Sequence, residues 1–272
     1  MNDIKNAPKK LYAGDKVGII AIGKTVSINE IELAIKTYKD WGLDVVLGKS
    51  IGAKDRYFAG NDELRTDDLQ SFINDSSIKA IFFARGGYGA VRIIDRIDFT
   101  PLQESPKWLI GFSDVTVIHN HLNNFSTPTV HGVMPIFFES ATKSSIQSNK
   151  NALFNASVNY KFTSGVYCKD GECIGEIVGG NLSIIYSLLG SKSQLNTKNK
   201  ILFIEDLGEH LYHIDRMLQN MVRNGLLSGV KGIIIGSFTN LQLGNPVFYE
   251  SVEDIFKEHF EKLNIPIFSG FP

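Results

Sequence analysis

Three short stretches of this sequence carry groups suited to chemistry. In "LIGFSDVTVIHNHL" (residues 109–122) an apolar run ends in Gly111, and a lone hydroxyl, Ser113, stands where strand-like residues give way to helix-like ones. Serine before a helix is ordinarily an N-cap, its oxygen accepting an N–H that the helix cannot satisfy. A serine on a sharp strand-to-helix turn is also the setting of a nucleophile elbow. The G-x-S-x-G pattern is not met, because Val115 takes the place of the last glycine. In such a turn the backbone N–H of Asp114 would point toward a developing oxyanion. The second stretch, "ARGGYGA" (84–90), supplies glycines whose backbone can approach a ligand closely, so Gly86 or Gly87 could give a second N–H. It matches neither G-x-G-x-x-G nor a phosphate loop with its lysine, which leaves little support for a nucleotide site. The third, "LFIEDLGEH" (202–210), sets Glu205 and Asp206 directly after strongly apolar residues. Carboxylates there are costly without a partner or a task, the simplest task being to cap the helix that follows.

These stretches need elements that deliver them. "KVGIIAIG" (16–23), "LDVVLGKS" (43–50), "IKAIFFARGG" (78–87) and "KWLIGF" (107–112) read as strands. Between them lie helix-like runs at 27–42, 61–77 and 89–98. The first has Ile31, Ala34, Ile35, Tyr38 and Trp41 on one face and Gly42 as its stop; the second opens on Asn61 with an acidic first turn. This alternation predicts a parallel sheet with helices on both faces, where ligands sit beyond the carboxyl ends of the strands. A Ser/Asn/Lys-rich segment at 139–159 marks a change of composition of the kind that separates domains. Beyond it come short strands with glycine turns, the strand "KILFIED", the amphipathic "YHIDRMLQNMVRNG", the strand "VKGIIIGSF", a helix around 249–264 and a last strand "IPIFSG". The expected division is a domain at 1–140, a linker at 141–164 and a second, smaller mixed domain at 165–272.

Composition narrows the choice of function. The chain has 272 residues, 43% hydrophobic and 21% charged, with net charge −1, so no basic excess points to nucleic acid or a membrane surface. No apolar run reaches a membrane span, and the polar start "MNDIKNAPKKLYAGDK" lacks the apolar core of a secretory signal, which leads us to expect a cytoplasmic protein. Cys168 and Cys173 flank a Lys-Asp-Gly that reads as a hairpin turn. In a reducing compartment, and without further ligands at zinc spacing, they are expected to be two incidental thiols.

Six blocks resemble, in order, those of the LD-carboxypeptidase family, the muramoyltetrapeptide carboxypeptidases: "FAGNDELRTDDL", "ARGGYGAVRIIDRID", "LIGFSDVTVIHNHL", "VHGVMP", "GEIVGGNLSIIYSLLG" and "ILFIEDLGEHLYHIDRML". The resemblance implies an α/β fold, with an N-terminal flavodoxin-like parallel-sheet domain and a second, smaller mixed α/β domain of the swivelling β/β/α type. It implies a Ser-His-Glu serine peptidase without metal or cofactor, acting as a homodimer on muropeptides and removing the terminal D-alanine of murein tetrapeptide in peptidoglycan recycling. It assigns Ser113 as nucleophile, Glu205 as the triad carboxylate, and the N–H groups of Gly86, Gly87 and Asp114 to the oxyanion. His131, in "VHGVMP", is expected beside the substrate. The family's histidine lies in a Gly-His step beyond the last strand, which this sequence does not reach before Pro272. We therefore expect the native chain to continue to it. Two alternatives stand beside this reading: a hydrolase of microcin C-type peptidyl-nucleotides that confers immunity, and an inactive muropeptide-binding module.

Overall fold

The computed structural model describes residues 7–155 and 158–271, which form two compact units that divide between Asn159 and Tyr160. The first residues of the polar N-terminal stretch, two residues of the expected linker and Pro272 lie outside the described residues.

The first unit holds β1 (Lys16–Ile20), α1 (Glu32–Asp40), β2 (Asp44–Leu47), α2 (Asp62–Asn74), β3 (Ile78–Phe83), α3 (Ala90–Ile93), α4 (Pro101–Glu104), β4 (Trp108–Gly111), α5 (Thr116–Asn123), β5 (Val130–His131) and α6 (Lys143–Phe154). Its five strands are all parallel, in the order β2-β1-β3-β4-β5. That is the flavodoxin-like order, whose topological switch point lies between β1 and β3. One face of the sheet is filled by Val17, Ile19, Ala80, Phe82 and Ile110, packed against Ile31, Ala34 and Tyr38 around α1. On β1, Gly18 is demanded by packing, since a Cβ there would lie 2.1 Å from the Phe72 ring of α2. Asn61 caps α2 as its sequence position suggests, accepting the Leu64 N–H at 2.8 Å.

The Ser/Asn/Lys-rich segment is largely not a linker. Most of it is α6, capped by Thr142, with Leu153 buried in the first unit's core and its carbonyl accepting the Leu11 N–H at 2.8 Å. Its polar composition reflects an exposed helix face, while a few apolar positions suffice to dock it.

The second unit contains β6 (Ile177–Asn181), α7 (Leu182–Ser187), β7 (Ile201–Leu207), α8 (Leu211–Arg223), β8 (Gly232–Thr239), α9 (Val252–Phe260) and β9 (Ile267–Ser269). The four strands are parallel and lie in sequence order. Along β7 the side chains alternate: Leu202, Ile204 and Asp206 are buried, whereas Ile201, Phe203 and Glu205 are half-buried. The buried set meets α8, whose Leu211, Ile214, Met217, Leu218 and Met221 recur at helical spacing. Each such side chain contributes about 1.5–3 kcal/mol on burial. The cysteine-flanked stretch forms no hairpin. Lys169 instead bridges antiparallel to Ile267 of β9 through N–H···O bonds of 2.8 and 3.0 Å, and Cys168 and Cys173 are both free. Pairing with β9 satisfies the backbone that a local turn would otherwise have to satisfy. No described helix is long and apolar enough to cross a membrane.

Candidate active site

Ser113 lies two residues past the end of β4 and sits with φ = 60°, in the left-handed region that costs a residue with a Cβ roughly 1–2 kcal/mol. It makes no capping hydrogen bond; Phe112 occupies the N-cap position of the short turn, so the capping role read from its position is not the one it plays. The half-buried hydroxyl is left to face outward from a strained strand-to-helix turn, the arrangement of a nucleophile elbow. Gly111 is needed because a Cβ there would lie 2.8 Å from Val115 Cγ2. Val115 thus packs on the first glycine, which is why the turn closes without the final glycine of G-x-S-x-G.

The glycine loop after β3 lies against this turn. A Cβ placed on Gly86 would be 3.1 Å from Ser113 Cβ and 3.2 Å from its Oγ. At Gly87 φ is 108°, and a Cβ there would strike the Tyr57 hydroxyl at 2.6 Å. Among the described residues the N–H groups of Gly86 and Asp114 donate to no protein acceptor. Both stand ready for an external oxygen.

What fixes the loop to the turn is the Asp114 side chain, which sequence reasoning valued only for its backbone. Buried to 1% exposure, it accepts the Ala90 N–H at 2.9 Å. Burial raises its pKa, against which the N–H groups of Ala90 and Gly89 and the Arg65 guanidinium pull downward. Arg65 is itself fully buried, donating to the Ile22 carbonyl at 2.5 Å and the Gly89 carbonyl at 3.2 Å and pairing with Asp62. The ends of β1, β3 and β4 are thereby tied into one polar frame. Only an acid immediately after the serine, and an arginine inside an amphipathic helix, hinted at it in the sequence.

Two histidines stand behind and beside the turn. His119 of α5 is buried, its Nε2 2.8 Å from the Gly111 carbonyl, and burial lowers its pKa to about 4. It braces the end of β4 as a neutral ring. His131 is exposed at the end of β5, paired in register with Gly111, its ring 5.9 Å from that of Phe112. Asn149 of α6 holds the following residues, its Oδ1 accepting the Val133 N–H at 3.2 Å and its Nδ2 donating to the Val133 carbonyl at 2.8 Å.

In the second unit, Glu205 and Asp206 divide their roles. Asp206 accepts from Asn181 Nδ2, the Ser183 N–H and the Leu207 N–H, each at 2.8 Å, and so anchors the first turn of α7. Glu205 points to the other face of the sheet, over Gly236, where a Cβ would lie 3.2 Å from Glu205 Cβ. Its Oε1 is buried without a donor among the described residues. Burial, and then the neighbouring Asp206 charge, push its pKa up to about 7, against a smaller opposing effect of Asn181. Glu205 caps no helix. It is Asp206 that serves a helix end, and the helix is the one before it.

These features converge with what comparison finds. Residues 17–132 match the LD-carboxypeptidase N-terminal domain and residues 174–272 the LD-carboxypeptidase C-terminal domain. The chain belongs to the LD-carboxypeptidase family. It is 33% identical, over 97% of its length and 85% of the relative's, to the Bacillus subtilis protein named "Probable murein peptide carboxypeptidase". Among solved structures, the muramoyltetrapeptide carboxypeptidase of Oxalobacter formigenes superposes with a TM-score of 0.86 at 25% identity, covering 94% of this chain and 88% of that one. The microcin C7 self-immunity protein in complex with aspartyl sulfamoyl adenosine shares the fold, with a TM-score of 0.84 at 20% identity over 97% and 89% of the two chains. Within this chain, Ser113, Gly86, Gly87, Asp114 and His131 stand at the carboxyl ends of β3, β4 and β5. Glu205 stands near the carboxyl end of β7 in the second sheet.

Proposed function

We propose that this protein is a serine LD-carboxypeptidase that removes the terminal D-alanine of murein tetrapeptide in cytoplasmic peptidoglycan recycling. The observation that carries the reading is Ser113 itself: a hydroxyl in a left-handed turn, lying against Gly86, with no hydrogen-bond partner for its side chain among the described residues. Ser113 Oγ attacks the scissile carbonyl, its proton passes to a histidine base, and the Gly86 and Asp114 N–H groups receive the oxyanion. Collapse of the tetrahedral species expels the D-alanine amine with that proton, and water then releases the acyl group. Glu205 orients the histidine and stabilises its cation. Among the described residues no donor reaches Glu205 Oε1, which leaves that oxygen open for an imidazole N–H.

A second reading, hydrolysis of a peptidyl-nucleotide, draws on one feature. Phe203, on the same strand face as Glu205, meets Phe271 at 6.0 Å between ring centroids, and Phe271 meets Tyr160 and Phe162 at 5.6 and 5.2 Å. Such a cluster suits stacking on a base.

The test is D-alanine release from murein tetrapeptide, set against cleavage of an aspartyl-adenylate amide. The first reading expects release of D-alanine that Ser113→Ala reduces by about 10⁶ in kcat, the scale seen when a triad serine is removed. Cleavage of the nucleotide conjugate alone would favour the second. Unimpaired activity in Ser113→Ala would discard both.

A further inference from the structure

A carboxypeptidase must distinguish a free terminal carboxylate from a chain that continues, so something near the oxyanion hole has to pair with that charge. Several cations surround the loops after β1 and β3, and most are engaged. Arg65 is fixed on the Ile22 and Gly89 carbonyls and on Asp62. Arg92 pairs with Asp62 at 2.7 Å, and Arg85 donates to the Thr25 carbonyl at 3.3 Å and stands 3.6 Å from Glu30. Lys24 differs. Its ammonium has no carboxylate within ion-pair distance among the described residues, and it lies over the Tyr57 ring, 5.6 Å from the centroid.

Its position is set by the same contacts that build the oxyanion loop. The Lys24 N–H donates to the Gly86 carbonyl at 3.4 Å, and a Cβ on Gly87 would lie 2.9 Å from Lys24 Cβ. The Tyr57 hydroxyl presses on that same glycine. Ser113, Gly86, Gly87 and Lys24 are therefore successive neighbours across the β1/β3 switch point, where open parallel sheets bind ligands. In an exopeptidase substrate the terminal carboxylate lies one residue, about 3.5 Å, beyond the scissile carbonyl. A lysine rooted beside the oxyanion glycines, with a flexible four-carbon stem, can meet a charge at that remove.

We propose that Lys24, held over Tyr57, is the receptor for the substrate's free C-terminal carboxylate and makes this site an exopeptidase site. The proposal rests on the carboxypeptidase reading above. It deepens that reading by naming the ligand class: a peptide ending in a free acid rather than an amide or a longer chain.

Binding can be measured apart from turnover. The dissociation constants of murein tetrapeptide and of its C-terminal amide would be compared by calorimetry on Ser113→Ala, alone and with Lys24→Met or Lys24→Arg added. A charge-assisted hydrogen bond corresponds to roughly a 10- to 150-fold preference for the acid. That preference should be present with Lys24, collapse to near unity in Lys24→Met through weaker binding of the acid alone, and return in part in Lys24→Arg. Retention of the full preference in Lys24→Met would overturn the proposal, as would equal binding of acid and amide with Lys24 present. Preference for the acid with no D-alanine release by the serine-containing protein would overturn the hydrolytic reading while leaving Lys24's role in place.

Discussion

Ser113–Asp114 after β4 and Glu205–Asp206 at the end of β7 are two dipeptides built on one plan. In each, the aspartate is buried and holds backbone N–H groups that start a neighbouring helix, Ala90 in the first unit and Ser183 in the second. In each, the residue before it has its functional atom unengaged. The difference lies in where the strain sits. At Ser113 it is in the backbone, with φ at 60°. At Glu205 φ stays outside the left-handed region, although the pairing of β7 with β8 shifts register between Ile204 and Asp206, and the strain is electrostatic: a carboxyl largely removed from water beside another acid. A serine needs to be presented, which geometry does. The triad role proposed for Glu205 needs an unmet demand for a proton donor, which desolvation creates.

The largest effect that bears on this contrast is expected at Glu205. In the proposed mechanism Glu205 is the triad carboxylate, whose replacement by its amide costs about 10⁴ in kcat, so Glu205→Gln should lower D-alanine release by that order. Its stability should move the other way. The folded pKa of about 7 lies above the ordinary 4.5, so the carboxyl's contribution to stability is fully present below pH 4.5 and is lost as pH rises through 7. Glutamine never ionises, and the variant should exceed the wild type by on the order of 3 kcal/mol at pH 8 and match it near pH 4. Urea unfolding at the two pH values measures this, and equal stability at pH 8 would remove the electrostatic half of the comparison.

Next in size is Asp206→Ala, which strips the acceptor from Asn181 Nδ2 and the Ser183 N–H. A loss of about 3 kcal/mol is expected, because buried donors are left unsatisfied. If Asp206→Ala unfolds at the wild-type urea concentration, the anchoring role assigned to the second acid is wrong.

The smallest effect on stability isolates the backbone strain. Ser113→Gly removes the Cβ that makes φ = 60° costly and should stabilise the protein by about 1 kcal/mol while abolishing turnover. Ser113→Ala should abolish turnover without that gain. Identical melting curves for the two variants would show that the turn stores no strain.

Much of this protein is legible in its sequence because the relevant signals are local. The 3.6-residue spacing of Ile31, Ala34 and Tyr38, the Asn61 cap and the apolar runs of β1, β3 and β4 each follow from a few neighbouring residues, and their alternation implies a parallel sheet. Ser113, Gly86 and Glu205 stood out for the same reason: polar or flexible residues closing apolar strands. Tertiary structure decided matters that depend on partners distant in the chain. A polar stretch became α6 because Leu153 could reach a core assembled from other elements. The Lys169 stretch paired with β9 about a hundred residues away instead of folding on itself. Asp206, not Glu205, became the helix anchor because strand alternation turned one acid toward α7 and the other away. Two adjacent carboxylates are chemically alike in a sequence, and only burial against different neighbours makes one a structural acceptor and leaves the other open for a proton donor.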